Sequence, residues 1–147
     1  MNPAFPIEKD AIMAILPHRD PMLFIDRVLN ATESNLTAET HVDPAWPVFD
    51  GHFPEFPIMP GVLLIETIAQ AGSLILGLRQ SVAPGSFVGL ASVSSAKFRR
   101  AVKPGDRMNI HVNLVQERRG FYKYEGVIDV DAQRAVEVEF AAVQMSL

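Results

Sequence analysis

Pro54, Pro57 and Pro60 crowd the short stretch between Gly51 and Gly61. Each proline holds φ near about −65° and removes a backbone donor, so the stretch folds neither as a helix nor as an inner strand. It must be a stiff irregular loop up to Pro60, and it carries a titratable ring, His52. Pro60 itself suits the first turn of a helix. From Val62 to Leu78 the side chains are apolar on nearly every face, which predicts a helix buried all round instead of an amphipathic surface helix.

Glu66 and Gln70 interrupt that helix four residues apart, so they share a face and can touch. A carboxyl flanked by Leu63, Ile65, Thr67 and Ala69 is costly to keep ionised and unpaired, so it takes up a proton or finds a partner. Glu66 is therefore a candidate general acid. The plainer readings are an exposed position on a less buried helix, or a structural ion pair.

A chain of 147 residues with 48% hydrophobic content suffices for one core and is too short for two ordinary domains, so residues 1–147 are read as a single domain. Thirteen basic residues against 17 acidic ones give a net charge of −4, which argues against a nucleic-acid partner. The absence of cysteine excludes disulfides, thiolate metal sites and a cysteine nucleophile. Glu8, Lys9 and Asp10 stand near the start, where a secretory signal would need a basic start and an apolar run, so a cytoplasmic protein is expected. Glu66, Thr67, Gln70 and Ser73 make the long apolar segment a core helix and not a membrane span.

Along the chain, Ile7–Leu16 has helical spacing and ends at Pro17. Pro17-His18-Arg19-Asp20-Pro21 is a constrained turn, in which His18 and Arg19 hold the turn or serve a site. Met22–Leu29 reads as a strand, and Leu36–Val42 alternates as a strand with one buried face, His41 on its polar side. Trp46, Phe49, Phe53 and Phe56 either line a slot beside His52 or form satellite core. After the helix, strands are expected at Val88–Phe98, Arg107–Val115, Tyr122–Val130 and Val136–Ala142, with short turns that imply antiparallel pairing. The fold class is thus α+β, a long central helix wrapped by a curved antiparallel sheet. One sheet covers only part of such a helix, and the exposed remainder points to a homo-oligomer.

With these residues in view, the chain resembles the (3R)-hydroxyacyl-acyl-carrier-protein dehydratases of the FabZ type, small hotdog-fold enzymes of fatty-acid synthesis. The resemblance rests on Leu16-Pro17-His18-Arg19, Asp26-Arg27-Val28, Gly51-His52-Phe53-Pro54, Pro57, Met59-Pro60-Gly61-Val62, Glu66 with Ala69-Gln70, Phe98-Arg99-Arg100 and Pro104-Gly105-Asp106. It spans nearly the whole chain, and the order and spacing of the pieces carry it, where His-Phe-Pro alone would be weak.

The resemblance implies that His52 and Glu66 are the catalytic pair, removing water from a 3-hydroxyacyl thioester to give the trans-2-enoyl thioester. Imidazole suits the base that takes the α-proton, and a carboxyl kept neutral by burial suits the acid that protonates the departing hydroxide, directly or through a water. The Gly61 N–H at the helix N-terminus would stabilise the thioester oxygen, and Gln70 would orient Glu66. Phe53, Phe56, Pro57, Met59 and Val62 would line the substrate tunnel. No cofactor is expected, and His18, His41, His52 and His111 lack metal-ligand spacing. In the family the site lies between two subunits of a homodimer, the His of one facing the Glu of the other, and dimers often assemble into hexamers. The partner would be an acidic acyl carrier protein, docked on Lys97, Arg99, Arg100 and Lys103, with Arg118, Arg119 and Lys123 a second basic group.

Asp20, Glu55 and Phe56 depart from the family pattern beside the loop and the turn, and bear on acyl-chain preference and pathway. Glu66 in place of Asp argues against the related dehydratase-isomerase. A hotdog thioesterase and a non-catalytic acyl-carrier-binding subunit are the alternatives.

Overall fold

The computed structural model describes residues 3–146. Helix α1 (Lys9–Ile15) starts where the Glu8 carbonyl accepts the N–H groups of Ala11 and Ile12. Arg19 secures its end, donating from Nη1 to the carbonyls of Leu16 (2.9 Å) and His18 (2.6 Å) and from Nη2 to that of Met13 (3.0 Å). Arg19 therefore holds the turn.

The strand expected from Met22 begins later, at β1 (Arg27–Ala31). Leu23, Phe24 and Ile25 are buried, but side chains take up the backbone groups of Phe24 at their centre. The Phe24 N–H donates to Gln70 Oε1 (2.9 Å) and the Phe24 carbonyl accepts from Thr40 Oγ1, so no ladder forms there. β2 (Asn35–His41) follows, then a 3-10 turn at Pro47–Asp50 and helix α2 (Gly61–Leu78). The remaining strands are β3 (Ser86–Phe98), β4 (Arg107–Arg118), β5 (Phe121–Val130) and β6 (Gln133–Ser146).

All six strands form one antiparallel sheet in the order β1-β2-β4-β5-β6-β3. Helix α2 touches β2, β3, β4, β5 and β6, so the sheet curves round it as expected. Met108, Ile110 and Val112 of β4 and Ile128 and Val130 of β5 alternate inward and lose all exposure. Gly126 marks a close approach of sheet and helix. A Cβ there would collide with Ile68 Cγ2, so only glycine lets α2 sit this deep. Two-residue turns at Arg119-Gly120 and Asp131-Ala132 take positive φ at both positions, the twist that joins adjacent antiparallel strands.

The sheet covers one side of α2. Leu64, Ile68, Ala71, Leu74 and Ile75 are buried, whereas Val62 is 71% exposed and Ile65, Glu66, Ala69 and Ser73 are half-covered. Burial on every face, which the apolar composition suggested, is not reached within one chain. The uncovered side of the helix is a boundary between core and surface, and Glu66 stands on it.

Candidate active site

The Gly51–Gly61 loop is held by its own backbone. The His52 N–H donates to the Val48 carbonyl (3.0 Å), the Ile58 N–H to the His52 carbonyl (3.0 Å), and Phe53 and Phe56 exchange two further bonds. Met59 anchors the far end through its N–H to the Val102 carbonyl (2.8 Å). The imidazole is fixed too, with Nδ1 2.9 Å from the Ile58 carbonyl. A carbonyl only accepts, so Nδ1 carries the proton and Nε2 holds the free lone pair. His52 is thus oriented as a base.

Glu66 occupies the wall of a largely apolar cavity of about 700 Å³. A stripe of α2 (Glu66, Ala69, Gln70, Ser73, Gly77) forms one side, the end of α1 with the Pro17–Arg19 turn a second, and the run from Val82 into β3 a third. Two donors reach the same carboxylate oxygen. Gln70 Nε2 lies 2.9 Å from Glu66 Oε2, and His18 Nε2 lies 3.3 Å from it. Burial is the largest single influence on this carboxyl and pushes its pKa up. The hydrogen bonds from His18 and Gln70, with the charge of His18 when protonated, together outweigh burial and hold the carboxyl below the ordinary value. The expectation of a carboxyl kept neutral by burial is therefore corrected: Glu66 has partners, and in the single chain it is ionised at neutral pH.

Gln70 is itself 1% exposed and fully engaged, since its amide also bonds the Phe24 N–H and the Met22 carbonyl (2.7 Å). The sequence of the turn left open whether His18 serves a site, and its contact puts it beside the candidate acid Glu66. The N–H groups of Gly61 and Val62 have no acceptor among the described residues and open the N-terminus of α2. His52 and Gly61 do not line the Glu66 cavity, and among the described residues the partners of His52 and of Glu66 do not include each other.

The five residues expected to line a tunnel do not line this cavity. Phe53 and Phe56 are 49% and 57% exposed and border a separate shallow depression with Pro54, Glu55 and Ile58. Pro57 lies in the same loop, Met59 is core at 3% exposure, and Val62 faces outward. Trp46 and Phe49 pack as satellite core, the Trp46 ring 5.6 Å from Phe24 and 6.3 Å from Phe49. Of the basic group, Arg99 is paired with Glu137 (2.9 Å), and Arg100 donates to the Val130 carbonyl (2.7 Å) beside Asp131. Lys97 and Lys103 are exposed and have no ion-pair partner among the described residues, and the same holds for Arg118, Arg119 and Lys123. Phe98 ties this group to the helix start, its ring 3.0 Å from where a Gly61 Cβ would stand. Among the described residues no three His, Asp or Glu side chains are grouped to hold a metal.

A long helix wrapped by an antiparallel sheet, with a hydrogen-bonded carboxylate in the wall of an apolar cavity, defines a hotdog-fold protein with a half-covered acid at the edge of its core. The chain belongs to the FabA-like domain family, whose pattern matches residues 16–139. It is 44% identical over 135 residues to the 3-hydroxyacyl-[acyl-carrier-protein] dehydratase FabZ of Brucella ovis, covering 90% of this chain and 85% of that protein. It is 40% identical over 139 residues to the FabZ of Mannheimia succiniciproducens, covering 94% and 93%. Among solved structures it superposes on a chain of the dehydratase heterocomplex ApeI:P from Xenorhabdus doucetiae with a TM-score of 0.79 at 22% identity, covering 92% and 91%.

Proposed function

We propose that this protein dehydrates (3R)-3-hydroxyacyl-acyl-carrier-protein to the trans-2-enoyl thioester, as a soluble cytoplasmic enzyme of fatty-acid or related acyl synthesis. The observation that carries the reading is the extent of the FabZ likeness, which runs through both the His52 loop and the Glu66 helix. The site chemistry supports it. His52 Nε2 takes the α-proton, the C2–C3 double bond forms as the C3–O bond breaks, and a proton from Glu66 or a water it holds leaves with the hydroxyl. The Gly61 N–H stabilises charge on the thioester oxygen. The apolar cavity beside Glu66 accepts the acyl chain.

With His52 outside the Glu66 cavity of its own chain, a second copy would complete each site, the His52 of one subunit facing the Glu66 of its partner. The exposed Val62, Phe53, Phe56, Leu90 and Val93 give such a homodimer its apolar surface. Closing the site adds burial around Glu66 and raises its carboxyl toward the range in which it holds a proton. Lys97 and Lys103 are the free cations for docking the acidic carrier, with Arg99 and Arg100 partly neutralised by their own partners.

The test is a hydration assay on a trans-2-enoyl thioester, following loss of the conjugated absorbance with free thiol monitored in parallel. Loss without thiol is expected. Thiol release, or no change with carrier-bound substrates of several lengths, overturns the reading. His52→Ala and Glu66→Gln should each remove on the order of a hundredfold or more of turnover while the fold survives.

A further inference from the structure

We propose that His18 is a positioning residue for Glu66: together with Gln70 it occupies carboxylate oxygen Oε2 with N–H donors, and so leaves Oε1 as the oxygen that carries the transferable proton. The inference rests on the acid role proposed for Glu66.

The orientation of Gln70 is settled by backbone groups. Phe24 offers an N–H and must meet the amide oxygen, while Met22 offers a carbonyl and must meet the amide nitrogen. The amide therefore presents N–H to Glu66, and Oε2 is an acceptor. His18 Nε2 approaches the same atom, so it too donates and carries the ring proton. The other ring nitrogen agrees, because His18 Nδ1 is buried without a partner among the described residues. A buried bare lone pair costs less than a buried unpaired N–H, and far less than one on a charged ring. Glu66 Oε1 has no hydrogen-bond partner among the described residues. A carboxyl with one oxygen held by two donors takes its proton on the other.

Few other charges face the carboxylate. The cavity wall holds His18, Arg19 and Glu66, and Arg19 is turned onto the carbonyls of Met13, Leu16 and His18. His18 is thus the titratable neighbour that acts on Glu66.

The experiment compares the wild type with His18→Phe, which fills the space without a donor, and His18→Gln, whose amide nitrogen can restore it. The full-length protein is labelled with 13C at glutamate carboxyls and 15N in histidine rings, and melting temperature checks the fold. The Glu66 carboxyl titration should move up in His18→Phe and return toward the wild-type position in His18→Gln, with the 15N shifts placing the His18 proton on Nε2. The Glu66-dependent limb of the kcat/KM pH profile should move the same way, and kcat should fall on the order of tenfold in His18→Phe with KM little changed. A Glu66 titration unmoved in His18→Phe, or a proton found on Nδ1, overturns the proposal. If the titration moves as expected but activity is unchanged at every pH, the positioning contact stands and the acid role of Glu66 falls.

Discussion

Gln70→Leu removes one amide and leaves three groups to find new partners. Leucine approximates the volume of glutamine, so packing is nearly conserved and the change isolates the polar contribution. The Phe24 N–H loses its only acceptor among the described residues, deep in the core and away from solvent. The Met22 carbonyl loses its donor at 2.7 Å, and Glu66 loses one of two. A buried group left unsatisfied costs about 1–3 kcal/mol. Met22 is itself 45% exposed, so water can take up part of its loss, and the two backbone groups together cost about 2–5 kcal/mol, a large share of the about 5–15 kcal/mol that holds a typical domain. For a chain of this length that lowers Tm by roughly 5–15 °C.

The assay is thermal unfolding by circular dichroism at fixed protein concentration, because the Tm of the proposed dimer would depend on it. A melt within about 2 °C of the wild type would refute the claim that this amide satisfies the Met22–Ile25 segment. Gln70→Glu sharpens the test. A carboxyl placed there, buried and beside Glu66, has its pKa raised and restores the donor only when protonated. Its contribution is therefore present below the unfolded carboxyl value and lost as pH rises through the folded one, so this variant gains on the wild type as pH is lowered from neutral toward about 5.

Gly126→Ala drives a Cβ into Ile68 and should cost about 1–3 kcal/mol by chemical denaturation; Ile68→Ala in the same chain should relieve part of it, and strict additivity would show that the helix is not limited there. Tyr124 keeps its ring stacked on Phe140 at 4.9 Å, but its hydroxyl is buried without a partner among the described residues, so Tyr124→Phe should leave stability unchanged or raise it by about 1 kcal/mol, and a clear loss would reveal a bound acceptor. In an isolated subunit the Glu66 carboxyl is held below its ordinary value of 4.5, so its stabilising contribution there is complete above that value and disappears as pH falls through the lower, folded one. Diluted to single subunits, the wild type should therefore lose stability relative to Glu66→Gln in that acid window, and a difference independent of pH would dissolve the His18–Glu66 pair. Lys97→Glu with Lys103→Glu should raise KM for carrier-bound substrate at least several-fold more than for a short thioester mimic, and equal effects on both would remove the docking surface.

The parts of the fold that are legible in the sequence are those in which a residue's environment depends on near neighbours in the chain. Alternation at Met108, Ile110 and Val112 locates β4, and the prolines before Gly61 locate the start of α2. The contact between Glu66 and Gln70 follows from helical spacing alone. Met22–Ile25 has the apolar composition of a strand and is not one, because its backbone partners are the side chains of Gln70 and Thr40, elsewhere in the chain. Trp46 and Phe49 differ from Phe53 and Phe56 only in what lies across from them, which no local pattern records. The ionisation of Glu66 escapes a local reading for the same reason. Burial is visible in the helix sequence, and the histidine that offsets it comes from the turn after α1, far earlier in the chain.

That offset explains why the acid belongs where it is on α2. One turn deeper toward the sheet, among Ile68, Ala71, Leu74 and Ile75, a carboxyl would meet no donor and would stay protonated and inert. One turn toward solvent, beside the exposed Val62, it would be hydrated and fixed at its ordinary value. At the edge of the sheet's cover, burial and the donors of His18 and Gln70 oppose each other, so a modest change in enclosure shifts the balance. In the proposed homodimer a second subunit laid over this face would supply that change as it brings its own His52, and the same step that assembles the pair would prepare the acid. On that proposal an isolated subunit would be inactive for two reasons, a base that does not face the acid and an ionised acid. Dilution below the dimer's dissociation constant should therefore abolish hydration activity and, in the same concentration range, lower the Glu66 titration; activity that persists in a demonstrated monomer would refute the shared site.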